Sequence, residues 1–193
     1  SAQSLPFSFQ YGGGIIKGIP AGWNPVMRRR RIDTNLIETI FEGRETESGL
    51  TVRVECLEYQ DYPVIEWVVW LANDGPAPSP IIANLLALDS GFAGQAPELY
   101  HCNGDFYSET GYTPQLSALS PGETLRFAPT GGRPCDGAFP YFRLQFADRG
   151  LTLAVGWPAQ WSAQFSASQN GVAITAGQEK THLRLMPGES IRT

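Results

Sequence analysis

The sequence predicts an all-β protein, a two-sheet sandwich of short antiparallel strands. Three observations carry that reading. Apolar residues alternate with period two through most readable segments, as half-buried strands require. Short separators rich in Gly, Pro, Asn and Asp punctuate these segments at close intervals. No window of about 11 residues or longer keeps the 3.6-residue apolar repeat of a helix, so βαβ units are excluded and a sandwich of about ten or more strands remains.

The clearest strand is Leu50 to Glu58, where Val52, Val54 and Cys56 point one way and Thr51, Arg53 and Glu55 the other. The polar segment 42–49 joins it to Thr34 to Phe41, so the pair reads as a hairpin. Val64 to Ala72 is apolar on both faces and reads as a central strand, ended by Asp74-Gly75-Pro76. Ile81 to Leu88 follows. Residues 89–122 then form an irregular stretch rich in Gly, Asn, Asp, Ser, Tyr and Pro, of a length that in a small domain usually serves function. Six further strands are predicted at Thr124 to Phe127, Phe139 to Phe146, Leu151 to Val155, Trp161 to Ala167, Val172 to Thr175 and Thr181 to Met186. The expected core comprises Val52, Val54, Ile65, Trp67, Val69, Leu153, Ile174, Leu183 and Leu185.

The length of 193 residues predicts one domain with one core. A hydrophobic share of 42% suffices to build it, while the charged share of 17% lies below the roughly 25% of an average domain. Part of the surface is therefore expected to be covered. A net charge of -5 argues against nucleic acid and anionic membranes as partners and favours neutral ligands. Arg28-Arg29-Arg30-Arg31 is the exception, read either as a solvated strand edge that deters edge pairing or as a site for an acidic partner.

Cys56, Cys102 and Cys135 cannot all pair within the chain, and none has the spacing of a zinc site. Buried thiols, no metal and no cofactor are expected. With no apolar run of about 18 residues and no basic, apolar leader, the chain is expected to be soluble. A cleaved leader would leave no trace, so the compartment stays open, with the cytoplasm favoured over secretion.

Candidate chemistry is sparse. His182 alternates with Leu183 and Leu185 and is expected to face solvent, whereas His101 lies beside Cys102-Asn103-Gly104-Asp105 in the long irregular stretch. Adjacent His and Cys on a strand point apart, so a Cys102 nucleophile is not expected. Loop carboxylates such as Asp105 and Asp136 suit glycosidase chemistry only where two converge across a sugar bond, and sequence does not show convergence. The aromatics say more. Trp157 and Trp161 flank a strand-to-strand turn, and Tyr141 follows a glycine-bounded loop containing Arg133 and Asp136. Two readings fit these rings: a plug at the sandwich edge, or flat faces that grip a sugar beside hydrogen-bonding side chains.

Five ordered blocks carry a resemblance. They are Pro6 to Phe9, Leu57 to Trp67 (L-E-Y-Q-D-Y-P-V-I-E-W), Gly132 to Phe142 (G-R-P-C-D-G-A-F-P-Y-F), Val155 to Trp161 (V-G-W-P-A-Q-W) and Leu185 to Thr193. Together they resemble the N-terminal β-supersandwich of family 36 glycoside hydrolases, the bacterial α-galactosidases, over essentially the whole chain. The resemblance implies a galactose-mutarotase-like supersandwich followed downstream by a (β/α)8 barrel that holds both catalytic aspartates of a retaining enzyme. It implies that residues 1–193 form a single non-catalytic domain that buttresses the barrel, lends loops to the rim of a cleft for galactose-containing oligosaccharides, and joins in homo-oligomer contacts. The rim or interdomain candidates are His101, Asp105, Arg133, Asp136, Tyr141, Trp157 and Trp161. The family loop commonly reads G-R-S-S-N-G-x-F-P-F-F, so Pro134, Cys135 and Asp136 depart from it. An autonomous carbohydrate-binding module or lectin stands beside this reading.

Overall fold

The computed structural model describes residues 1–105 and 107–193. The described chain is antiparallel β-structure with two short 3-10 turns, Ala2–Ser4 and Ala21–Trp23. None of its helices is long and apolar enough to cross a membrane. It divides into two compact units: unit 1 is Ser1–Ala87 with Thr181–Thr193, and unit 2 is Leu88–Lys180.

Unit 1 begins with β1 (Ser8–Tyr11), β2 (Gly14–Lys17) and β3 (Val26–Arg31). It continues through β4 (Leu36–Arg44), β5 (Leu50–Tyr59) and β6 (Ile65–Asn73). β7 (Ile82–Ala93) starts in unit 1 and ends in unit 2. Unit 2 holds β8 (Glu98–Cys102), β9 (Pro114–Ala118), β10 (Thr124–Phe127) and β11 (Tyr141–Gln145), then β12 (Gly150–Ala154), β13 (Trp161–Ser168) and β14 (Gly171–Gln178). β15 (His182–Leu183) and β16 (Ser190–Arg192) return to unit 1.

In unit 1, β5 is the middle strand of a five-stranded sheet ordered β16-β6-β5-β4-β3. Its alternation works as predicted: Val52 pairs across with Leu71, and Val54 lies between Phe41 and Val69. Val52, Val54, Val69 and Leu71 are fully buried. They meet Phe7, Phe9, Ile82 and Leu85 from the strands around β1 and β7, so unit 1 is itself two sheets closed on one apolar layer. Ile65 corrects the predicted core. It shares the inward register of Trp67 and Val69, yet it is 53% exposed because it opens β6 beyond the end of the core. Trp67, Leu183 and Leu153 are half-buried, and the Trp67 indole N–H donates to the Ala87 carbonyl at 2.7 Å.

β3 carries the four arginines as an exposed edge strand, and its charges meet glutamates of the same sheet. Arg30 pairs with Glu38, Arg29 with Glu58 at 3.0 Å, and Arg28 with Glu42 at 3.8 Å. Such exposed pairs contribute little stability, about 0–1 kcal/mol each. The charge deters edge pairing while remaining locally neutralised.

Unit 2 sets β10-β13-β14 and the end of β7 against the sheet β12-β11-β8-β9. Phe127, Phe142, Phe165 and Trp161 interlock in its core at ring-centroid separations of 5.0 to 6.1 Å. The predicted irregular stretch 89–122 needs correction, because β8, β9 and the end of β7 occupy much of it. β8 escapes pattern reading because a polar His101 holds one of its inward positions beside Leu99. β9 is a largely exposed edge strand that opens with Pro114, a residue tolerated there because no ladder hydrogen bond is needed from its nitrogen.

Candidate functional site

Three connections of unit 2 come together: residues 103–105 and 107–113 after β8, 128–140 between β10 and β11, and 155–160 between β12 and β13. The third clamps the second. The Gln160 side chain accepts from the Gly132 N–H at 3.1 Å and donates to the Pro129 carbonyl. The Trp161 indole N–H donates to the Pro134 carbonyl at 2.8 Å, and the Val155 N–H to the Pro140 carbonyl at 2.9 Å. Within the second loop, Thr130 N–H donates to Asp136 O at 2.8 Å and closes the turn. The first loop packs on the second through Gly104, where a Cβ would fall 1.7 Å from the Cys135 carbonyl oxygen, and through the Phe139 N–H, which donates to Cys102 O at 3.2 Å.

The cluster presents aromatic rings. Tyr141 stacks on Phe139 with centroids 5.0 Å apart, and Tyr112 meets Phe139 edge-on at 5.3 Å. Tyr141 is 54% exposed and Tyr112 49%, so both keep an open face. Asp136 and Trp157 in the same loops are half-buried, and Arg133 is exposed. Asp105 shapes its own loop, accepting from the Ser108 N–H at 2.9 Å. Asn103 donates to Thr110 O at 2.9 Å while its buried side-chain oxygen has no partner among the described residues. Flat rings beside Asp, Asn and Arg can hold the apolar face of a sugar and its hydroxyls.

Two candidates sit deeper. Trp161 has no exposed surface and acts through the loop it holds. His101 is buried in β8, its Nε2 3.1 Å from Ser117 Oγ and its ring 4.6 Å from that of Phe127. Tyr112 and Gln160 were not among the candidates from the sequence, and Phe139 stood out only as part of the aromatic segment F-P-Y-F that contains Tyr141. Gln160 left a local signal, lying between the two tryptophans of the W-P-A-Q-W segment. Among the described residues, no group of three or more His, Cys, Asp and Glu side chains converges as metal ligands would.

Burial holds the His101 imidazole below its ordinary pKa of 6.5. The unfolded chain therefore binds the proton more readily than the native chain, and stability falls as pH drops through about 6.5, levelling off below the native value. We expect His101→Gln to flatten the decline of Tm between about pH 7 and 5, a window that stays above the carboxylate range. Thermal scans of both proteins at several pH values check this. Equal slopes in the original chain and in His101→Gln would contradict it.

No family model matches this chain, and no curated protein does. Solved structures do. The GH36 alpha-galactosidase AgaA from Geobacillus stearothermophilus superposes with a TM-score of 0.67 at 16% identity, over 97% of this chain and 29% of that one. The galactosidase domain of the alpha-galactosidase-sucrose kinase AgaSK gives 0.66 at 13%, over 97% and 28%. The alpha-galactosidase from Lactobacillus brevis gives 0.71 at 11%, again over 97% and 28%. This chain thus spans less than a third of each enzyme, and what it shares with these alpha-galactosidases is the all-β fold of that portion.

Proposed function

We propose that this chain is the non-catalytic N-terminal domain of an α-galactosidase-like glycoside hydrolase. It supports a catalytic barrel in the same parent chain, shapes the rim of the cleft and contributes to oligomer contacts. One observation carries the reading: nearly the whole chain superposes on somewhat over a quarter of three α-galactosidase chains, leaving the remainder of each for other domains. The loop cluster of unit 2 supports the rim role. Its backbones are tied by hydrogen bonds between loops, while Tyr112, Tyr141 and Trp157 keep surface for a ligand or a neighbouring domain.

The test uses the parent enzyme. Trp157→Ala and Asp136→Ala should lower kcat/KM on long α-galactosides by about threefold to tenfold and leave a small aryl α-galactoside nearly unaffected, with Tm almost constant. The 193-residue chain alone should release no chromophore from an aryl α-galactoside. Turnover by the chain that disappears in Asp136→Asn would overturn the non-catalytic reading. Tight galactose binding by the chain that is lost in Trp157→Ala would favour a lectin instead.

A further inference from the structure

Unit 1 carries a cleft of about 650 Å³ that none of the rim candidates lines. That volume lies in the range of small-ligand sites, roughly 300–1,000 Å³. Its construction begins with Gly43 inside β4. A Cβ there would come 2.4 Å from Ile19 Cγ2 and 3.3 Å from the Trp23 carbonyl oxygen, so glycine is what lets the turn Ala21–Trp23 lie directly on the strand. Trp23 is then held by an edge-on contact with Tyr11, at 6.4 Å between centroids. Asn24 follows it in a left-handed conformation with φ 49°.

The far wall is fixed by its own hydrogen bonds. Arg44 donates to the Asp74 carbonyl at 2.9 Å, and the Thr51 hydroxyl donates to the Asp74 carboxylate. The remaining polar groups are uncommitted. Among the described residues, the side chains of Asn24 and Thr46 make no hydrogen bond, and the Glu42 carboxylate has only the 3.8 Å ion pair with Arg28. The open cleft thus offers an indole, a carboxylate, and the exposed amide and hydroxyl of Asn24 and Thr46.

We propose that this cleft binds a neutral saccharide, with the indole against the C–H face of the ring and Asn24, Glu42 and Thr46 on its hydroxyls. A carboxylate accepts from sugar hydroxyls and an amide both donates and accepts, which suits vicinal diols. An anionic ligand fits poorly, since Glu42 repels it and the Arg44 guanidinium is already engaged. An apolar ligand would displace water from these polar side chains without replacing its hydrogen bonds. The ligand class follows from these residues; only the choice of an α-galactoside as first probe rests on the proposed function.

The test is titration of the 15N-labelled 193-residue chain with methyl α-D-galactopyranoside and, separately, methyl α-D-glucopyranoside, to about 100 mM. A single shallow site of this kind should bind with Kd in the millimolar range. The Trp23 indole N–H and the Gly43 and Thr46 amides should shift and saturate with at least one glycoside. Glu42→Gln, an isosteric change at a half-buried residue that does not threaten the fold, and Trp23→Ala should each weaken binding by about fivefold or more. Shifts absent with both glycosides, confined to the unit 2 loops, or unchanged by Glu42→Gln would overturn the proposal. Any of these would leave the Trp157 kinetics of the parent enzyme untouched, so the two readings fail separately.

Discussion

Trp161→Ala should lower the melting temperature by roughly 6–20 °C, the largest effect expected of a single substitution in unit 2. The side chain has no exposed surface and packs edge-on against Phe142 at 6.0 Å. Emptying such a site typically costs about 3–5 kcal/mol, and in a domain of 193 residues each kcal/mol moves Tm by about 2–4 °C. The indole N–H adds a second effect, because it holds the Pro134 carbonyl at 2.8 Å. Trp161→Phe separates the two. It keeps most of the ring volume and should lose only about 1 kcal/mol of stability, while hydrogen exchange speeds up in the loop 128–140. Thermal melting of both variants with exchange mapped by mass spectrometry provides the check. An unchanged Tm in Trp161→Ala would mean that the interior of unit 2 is not packed as described.

Gly104→Ala should be nearly as damaging through a different mechanism. The added Cβ would fall 1.7 Å from Cys135 O, 2.4 Å from Cys135 C and 2.9 Å from Ala138 O, all of them backbone atoms. No side chain can swing aside, so one loop must move away from the other. The expected cost is roughly 2–4 kcal/mol. The first loss is the Phe139 to Cys102 hydrogen bond, and exchange of the Phe139 amide should accelerate by about tenfold or more. Gly156→Ala in the neighbouring loop is the contrast, since among the described residues nothing lies within 4 Å of its added Cβ. It should change Tm by no more than about 2 °C. Equal effects of the two substitutions would show that the 104 and 135 backbones do not touch.

Alternation revealed what is locally encoded. Val52, Val54, Val69 and Leu71 are inward because a central strand must place every second residue in the core. Where a polar residue holds an inward position the signal fails, which is why β8, with His101, was not legible as a strand, whereas the four arginines of β3 were open to reading as the edge strand they form. Ile65 failed for another reason. Its face was assigned correctly, but sequence does not say where a sheet outruns the layer beneath it.

The loop cluster was legible only as composition. Gln160 reaches Gly132 across 28 residues and Trp161 reaches Pro134 across 27, and contacts at that range leave no periodic trace. Nor could the sequence tell that Trp161 is sealed while Trp157, four positions earlier, keeps some surface. In the unit 1 cleft Gly43 gave no clue, because the polar composition of residues 42–49 read as a turn, whereas β4 runs on to Arg44 and the glycine marks a close backbone approach within it.

The proposal at the centre of this account is that these 193 residues are one domain of a larger glycoside hydrolase, a reading supported by the share of three α-galactosidase chains they superpose on. Sequencing the native transcript through and beyond the Thr193 codon tests it most directly. The account predicts an open frame that continues into alternating strands and helices of a (β/α)8 barrel, with two aspartates at the C-terminal ends of barrel strands. A stop codon directly after Thr193, or a continuation with no such βα alternation, would contradict it.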